Sequence, residues 1–224
     1  MTRLYIVRHC EAEGNILRYF QGHTDGKVSE KGKEQCNLLA ERFRDIPIEA
    51  VYSSPLSRAV FTAEAVNRYH GLPIERRDNL IEINGGHWEK CKWADLPKLY
   101  PEEADAWANH PWDFAPKDGE PMRAVYERIW QAVLEIAREQ EGHTAAVVAH
   151  GGVIRNLLTR VKFGRIEEMN QQGWCDNTAV TILDFDEAFQ PTLVAENDTA
   201  HLTHGMSTLA GQSWWRGENF SKFE

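Results

Sequence analysis

The run TAAVVAH at 144–150 constrains this chain most. It is almost continuously apolar, and it stops on His150 directly before Gly151-Gly152. A strand with no polar side must be covered on both faces, as in a parallel sheet held between two layers of helix. LYIVR at 4–8 has the same character and stops on Arg8, with His9 next. Helix and strand signals alternate around these two runs. Ser29 can cap a helix running to Arg44, with Cys36, Leu39, Ala40 and Phe43 on one face. EAVYSS (49–54) reads as a strand, and Ser54-Pro55 then opens a helix to His70, with Pro55 at its first position. PIERR (73–77) is a third strand signal. A long helix follows from Pro121 to Gln140, with Met122, Val125, Ile129, Val133 and Ile136 inward. Gly151-Gly152 opens the helix VIRNLLTRVKF, and TAVTILDF (178–185) with PTLVAE (191–196) reads as a late hairpin. The expected architecture is α/β: a three-layer α/β/α sandwich with a mostly parallel central sheet.

Residues 84–120 break the alternation. They hold Pro97, Pro101, Pro111 and Pro116 together with Trp88, Trp93, Trp107 and Trp112, and read as an inserted lid of short helices. The domain reading is a catalytic unit at 1–204 that includes this lid, followed by a tail at 205–224. Trp214 and Trp215 of the tail are expected to dock on the body or on a partner.

Lys plus Arg is 25 and Asp plus Glu is 34, a net charge of −9. That balance, with no basic tail, argues against nucleic acid and anionic membranes as partners. An anion must then be held by a few placed cations. Cys10, Cys36, Cys91 and Cys175 form no CxxC pair and no disulfide framework. The N-terminal apolar run is too short for a signal peptide or a spanning helix, and the compartment is read as cytoplasmic.

In doubly covered parallel sheets, ligands bind beyond the carboxyl ends of the strands. Arg8, His9 and His150 leave two of those ends, and Arg58 lies in the first turn of the helix after a third. Helix N-termini add free N–H groups there. Guanidinium groups grip phosphate oxygens in pairs, so phosphate is the natural guest. Glu82, in LIEINGG, is the nearby carboxylate. Two histidines, two arginines and one carboxylate suit phosphoryl transfer without metal or other cofactor. One neutral imidazole attacks phosphorus, the cations hold the charge, and the carboxylic acid serves the leaving alcohol. Glu13, Glu75 and Glu89 are alternative acids.

RHCEAEGN (8–15), FQGHTD (20–25), SSPLSRAVFTAE (53–64), LIEINGGHWE (80–89), AHGGVIR (149–155) and NDTAHL (197–202) occur in that order. This ordered set resembles the histidine phosphatase superfamily, in its phosphoglycerate-mutase-like branch, across residues 2–202. The resemblance implies a phosphohistidine on His9, a phosphate pocket of Arg8, Arg58 and His150, and Glu82 as proton donor. It implies further that Asn15, Gln21, Gly22 and the Gly151 backbone line the phosphoryl site. Where the family usually has Gly after the nucleophile, this chain has Cys10, which would be strained if the backbone there needed a positive φ.

Three functions are weighed. A phosphatase acting on a small phosphorylated metabolite is preferred. A phosphoglycerate mutase would need further cations for the substrate's carboxylate, and the 84–120 insert has no arginine. A protein that only binds a phosphorylated ligand or a partner has no use for both a nucleophile and an acid. Cysteine phosphatase chemistry fails on spacing, because the position five residues beyond Cys10 is followed by Ile16 instead of Arg. His201 and His204 form an H-x-x-H without the other marks of a metal site, and no metal is expected there. The late hairpin offers an edge strand on which a homodimer could form.

Overall fold

The structure is a computed structural model that describes residues 1–211; Trp214 and Trp215 lie outside the described residues. Six strands form one sheet: β1 (Thr2–Arg8), β2 (Ala50–Ser53), β3 (Ile74–Arg76), β4 (Thr144–Ala149), β5 (Val180–Phe185) and β6 (Pro191–Asp198). Their order across the sheet is β3-β2-β4-β1-β5-β6. The first four positions run parallel, while β5 is antiparallel to both β1 and β6.

Alternation along β1 and β4 divides the core in two. Leu4, Ile6, Ala145 and Val147 face a cluster that includes Ile129 and Val133 of α6 (Met122–Glu139) and Leu157 of α7 (Gly151–Phe163). Tyr5, Val7, Ala146 and Val148 face the other way. They meet Leu39 and Phe43 of α2 (Glu30–Phe43) and Ala59 and Ala63 of α3 (Ser57–Val66). Both faces of the central strands are therefore buried, which is why their sequences carry no polar side. Each large apolar side chain so buried contributes about 1.5–3 kcal/mol.

Two local readings change. The helix after β2 begins at Ser57 with Leu56 as its cap, so Pro55 precedes the helix instead of opening it. The reason is Asp25, whose carboxylate accepts from the Ser57 backbone N–H at 3.0 Å and from its hydroxyl at 2.8 Å, fixing the first turn there. The stretch after His9 also contains a short helix, α1 (Glu13–Leu17), that sequence periodicity does not reveal at five residues.

The 84–120 segment contains α4 (Leu96–Leu99), α5 (Pro101–Asn109) and 3₁₀ turns at Gly86–Trp88 and Pro111–Asp113. Its Trp88, Trp107 and Phe114 are buried in the same cluster as α6 and α7. Trp88 lies 4.7 Å from Phe114 and 5.8 Å from Trp107 between ring centroids. After β6 the chain returns to the body. The Asp176 carboxylate accepts from the Thr208 and Leu209 backbone N–H groups at 2.9 and 3.1 Å. No helix among the described residues is long and apolar enough to cross a membrane.

Candidate active site

The sheet register builds the site. Arg8 pairs with Ala149 across the parallel β1–β4 ladder, so the next residues, His9 and His150, emerge side by side. The His9 N–H continues the ladder to the Ala149 carbonyl at 2.9 Å, and the two imidazole rings sit 5.1 Å apart. Ser54 leaves the end of β2 in the same way, its N–H donating to the Val148 carbonyl at 2.9 Å. This places its hydroxyl 2.6 Å from Nε2 of His150.

Nδ1 of His9 lies 2.7 Å from the carbonyl of Cys10. A carbonyl only accepts, so Nδ1 carries the proton and Nε2 keeps its lone pair. Burial first, then the charges of Arg58 and Arg8, hold His9 well below the usual imidazole range. His150 is depressed in the same sense by burial, with Arg58, His9 and Arg8 adding to it. Both rings are therefore neutral at neutral pH.

Arg8 is buried and donates from Nη1 to the Cys175 carbonyl. Arg58 is fully buried, and burial pulls it down to about 10, which still leaves it charged at neutral pH. Its guanidinium donates to the carbonyls of Thr24 at 2.9 Å and Gly22 at 2.8 Å. Glu89 holds the same turn from the other side. Its carboxylate accepts from the backbone N–H groups of His23, Thr24 and Gly85 at 2.9–3.0 Å. Although burial works against it, these bonds and the Thr24 hydroxyl keep Glu89 below the usual carboxylate range. A Cβ on Gly22 would come within 2.2 Å of the Ile83 carbonyl, so only glycine fits.

Glu82 is placed against the start of α7. Oε1 accepts from the Ile83 and Val153 N–H groups at 3.0 and 3.1 Å, and Oε2 accepts from Gly152 at 2.9 Å. Gly151 and Gly152 allow this approach. A Cβ on Gly152 would stand 2.6 Å from Oε1 of Glu82, and one on Gly151 would stand 3.2 Å from Nε of Arg8.

These elements frame a pocket of about 550 Å³, its open mouth included. Of the candidate residues, Arg8, His9, Asn15, Gln21, Glu82 and Gly151 line it. Arg58, His150 and Gly22 do not; they form a layer behind the lining. Of the alternative acids, Glu13, Glu75 and Glu89 are absent from the lining, which leaves Glu82 as its carboxylate among the described residues. Around His9 some buried polar nitrogens have no partner among the described residues: Nε2 of Gln21, Nε of Arg58 and Nδ1 of His150. Buried polar groups are nearly always paired, so water or a ligand is expected to complete the bonding of these atoms.

Three features were missed from sequence. Ser54 orients His150. Asn177 donates from Nδ2 to the His9 carbonyl at 2.8 Å. Trp174 joins Trp93 and Trp107 in the wall of the pocket. The SSP motif contained the first, but nothing marked its partner; the other two come from a loop with no periodic signal. Cys10 does not meet the condition for strain. It does not occupy a positive φ, and its side chain packs away from the pocket with Cys36, Ala40 and Ala65. His201 is used structurally: Arg42 reaches Nδ1 at 3.2 Å, and Nε2 lies 3.2 Å from the Thr178 hydroxyl. Among the described residues no three His, Cys, Asp or Glu side chains are grouped to hold a metal ion.

The molecule is thus an α/β protein with a mostly parallel sheet, in which the bare His9 imidazole nitrogen, the buried Arg8 guanidinium and the Glu82 carboxylate share one pocket. The chain belongs to the histidine phosphatase superfamily (branch 1), whose family model matches residues 4–199. It is similar to phosphoserine phosphatase 1 of Hydrogenobacter thermophilus, with 29% identity over 90% of this chain and 95% of the relative. It is similar also to the adenosylcobalamin/alpha-ribazole phosphatase of Escherichia coli K12, 31% identical over 71% of this chain and 78% of that one. The solved structure of Bacillus stearothermophilus YhfR superimposes with a TM-score of 0.85 at 31% identity, covering 90% of this chain and 99% of that one.

Proposed function

We propose that this chain is a metal-independent phosphoric monoester hydrolase that works through a phosphohistidine on His9. One observation carries the reading: the Cys10 carbonyl engages Nδ1, so Nε2 of a neutral ring is the nucleophile in a pocket shared with Arg8 and Glu82.

In the first half-reaction the Nε2 lone pair attacks phosphorus as the bond to the substrate's ester oxygen breaks. Arg8 holds the charge on the equatorial oxygens, with donors from Gln21, Asn15 and the Gly151 backbone, while Arg58 and His150 support the site from the layer behind the lining. Glu82 gives a proton to the departing oxygen, which leaves as the alcohol. Oε2, which accepts one backbone bond where Oε1 accepts two, is the atom with capacity to carry that proton. In the second half-reaction the Glu82 carboxylate takes a proton from water. The water oxygen bonds to phosphorus, the P–N bond breaks, and inorganic phosphate leaves a neutral His9. Gly22 acts indirectly in this scheme, by presenting its carbonyl to Arg58.

The test is phosphate release from p-nitrophenyl phosphate by the native protein and by His9→Asn, with and without a chelator. Turnover is expected in the native protein, unchanged by the chelator and highest at acidic to neutral pH. It should fall by about 10³-fold or more in His9→Asn. Undiminished turnover in that variant overturns the reading. Loss on chelation rejects the metal-free scheme, and an optimum in strong alkali rejects Glu82 as the acid.

A further inference from the structure

The pocket does not end at the phosphoryl site. Beyond His9 and Glu82 its wall is made by Tyr19, Phe20, Ile83, Trp93, Trp107 and Trp174. On the basis of the phosphatase reading above, we infer that the alcohol half of the substrate is an uncharged, flat, ring-bearing group, received by the Trp93–Trp107–Trp174 wall.

Charge supplies the first reason. Among the described residues, Arg8 is the only arginine in the lining, and no lysine is present. The phosphoryl group claims Arg8. A carboxylate on the alcohol half would then be desolvated without a cation of its own, and it would share the pocket with Glu82. A neutral alcohol bears neither cost.

Shape supplies the second. The indole rings of Trp107 and Trp174 stack 6.0 Å apart at 28°, and Trp93 leans on Trp107 at 5.6 Å. Trp174 is fixed from behind by Arg155, whose guanidinium lies 4.8 Å from the ring centroid. Arg155 is anchored in turn to the carbonyls of Gln172 at 3.0 Å and Met169 at 2.9 Å. A preformed wall of rings binds a flat group with little ordering cost.

The loop carrying Trp174 also holds the phosphate end. The Cys175 carbonyl accepts from Arg8, and Asn177 donates to the His9 carbonyl. Seating a ring on Trp174 is thereby coupled to the position of the reacting groups. Arg155 is a positioning residue for that wall.

The experiment compares kcat/KM for phenethyl phosphate, ethyl phosphate and phosphoserine. All three are esters of primary alcohols, so the bond broken is similar and the substituent differs. Phenethyl phosphate is expected to exceed ethyl phosphate by about 10- to 100-fold, the effect of burying one ring. Phosphoserine should do no better than ethyl phosphate. Trp174→Ala should reduce the phenethyl-to-ethyl ratio by about tenfold, and Trp174→Phe should restore most of it. Equal rates, or a preference for phosphoserine, overturn the inference while the phosphatase reading stands. Turnover of p-nitrophenyl phosphate with phenethyl phosphate left intact overturns it as well. If no ester is hydrolysed, including p-nitrophenyl phosphate, the phosphatase reading falls and this inference falls with it.

Discussion

At one end of the pocket, His9 and Glu82 are held by hydrogen bonds of 2.7–3.1 Å to backbone groups. At the other, Trp93, Trp107 and Trp174 rest on one another and on Phe20 at ring separations of 5.3–6.0 Å. The polar end is directional: each bond fixes one atom, and a small displacement removes it. The aromatic end is held by area, which tolerates changes in outline but not loss of volume. Chemistry that must be the same for every substrate sits on the first kind of support. Recognition that differs between substrates sits on the second.

The largest expected effect falls on the aromatic end. Trp88 is fully buried between Phe114 and Trp107, behind the wall. Trp88→Ala should lower unfolding free energy by about 3–5 kcal/mol, measured by denaturant titration. A loss below about 1 kcal/mol would show that the 84–120 segment rides on the body as a detachable lid. Next is Gly152→Ala, which crowds Oε1 of Glu82 at 2.6 Å. It should reduce kcat by about 10²-fold for good and poor substrates alike. A loss confined to ring-bearing esters would break the division between the two ends.

The pH dependence of stability tests the neutral histidines. Their folded pKa values lie well below that of an unfolded histidine, near 6.5. As pH falls through that value the unfolded chain gains protons that the folded chain refuses. The stabilisation from these groups is therefore complete above about 6.5 and is lost as pH falls below it. Thermal melts between neutral pH and pH 5 should show native protein losing roughly 1 kcal/mol more than His150→Gln. Parallel losses would mean that His150 is not held neutral. The smallest expected effect is Cys10→Gly, which empties part of the cluster with Cys36, Ala40 and Ala65. It should cost about 1 kcal/mol in stability and leave kcat/KM unchanged within about twofold. A gain in activity would show that Cys10 impairs the site.

Much of the polar end was legible in sequence because Arg8, His9 and His150 stand where strands stop, whereas Glu82 lies in a loop. Arg8-His9 and His150-Gly151 follow the two most apolar runs, and parallel register then forces them together. What sequence does not carry is depth. Arg58 and His150 read as equal partners of Arg8 and His9, yet they stand behind the lining, because Arg58 is spent on the carbonyls of the 22–24 turn. The aromatic end was visible only as composition. Trp93 and Trp107 belong to an insert of short elements without a sustained period, and Trp174 comes from a loop some seventy residues later. Their meeting is a tertiary event that no local pattern encodes.

The most direct measurement is intact mass after brief mixing with a phosphomonoester, followed by peptide mapping under conditions that preserve phosphoramidates. The native protein is expected to gain one phosphoryl group, located on His9, that disappears as free phosphate is released; His9→Ala is expected to show no adduct and no release. Phosphate release at an undiminished rate from His9→Ala, or an adduct on any other residue, would contradict the assignment of His9 as nucleophile.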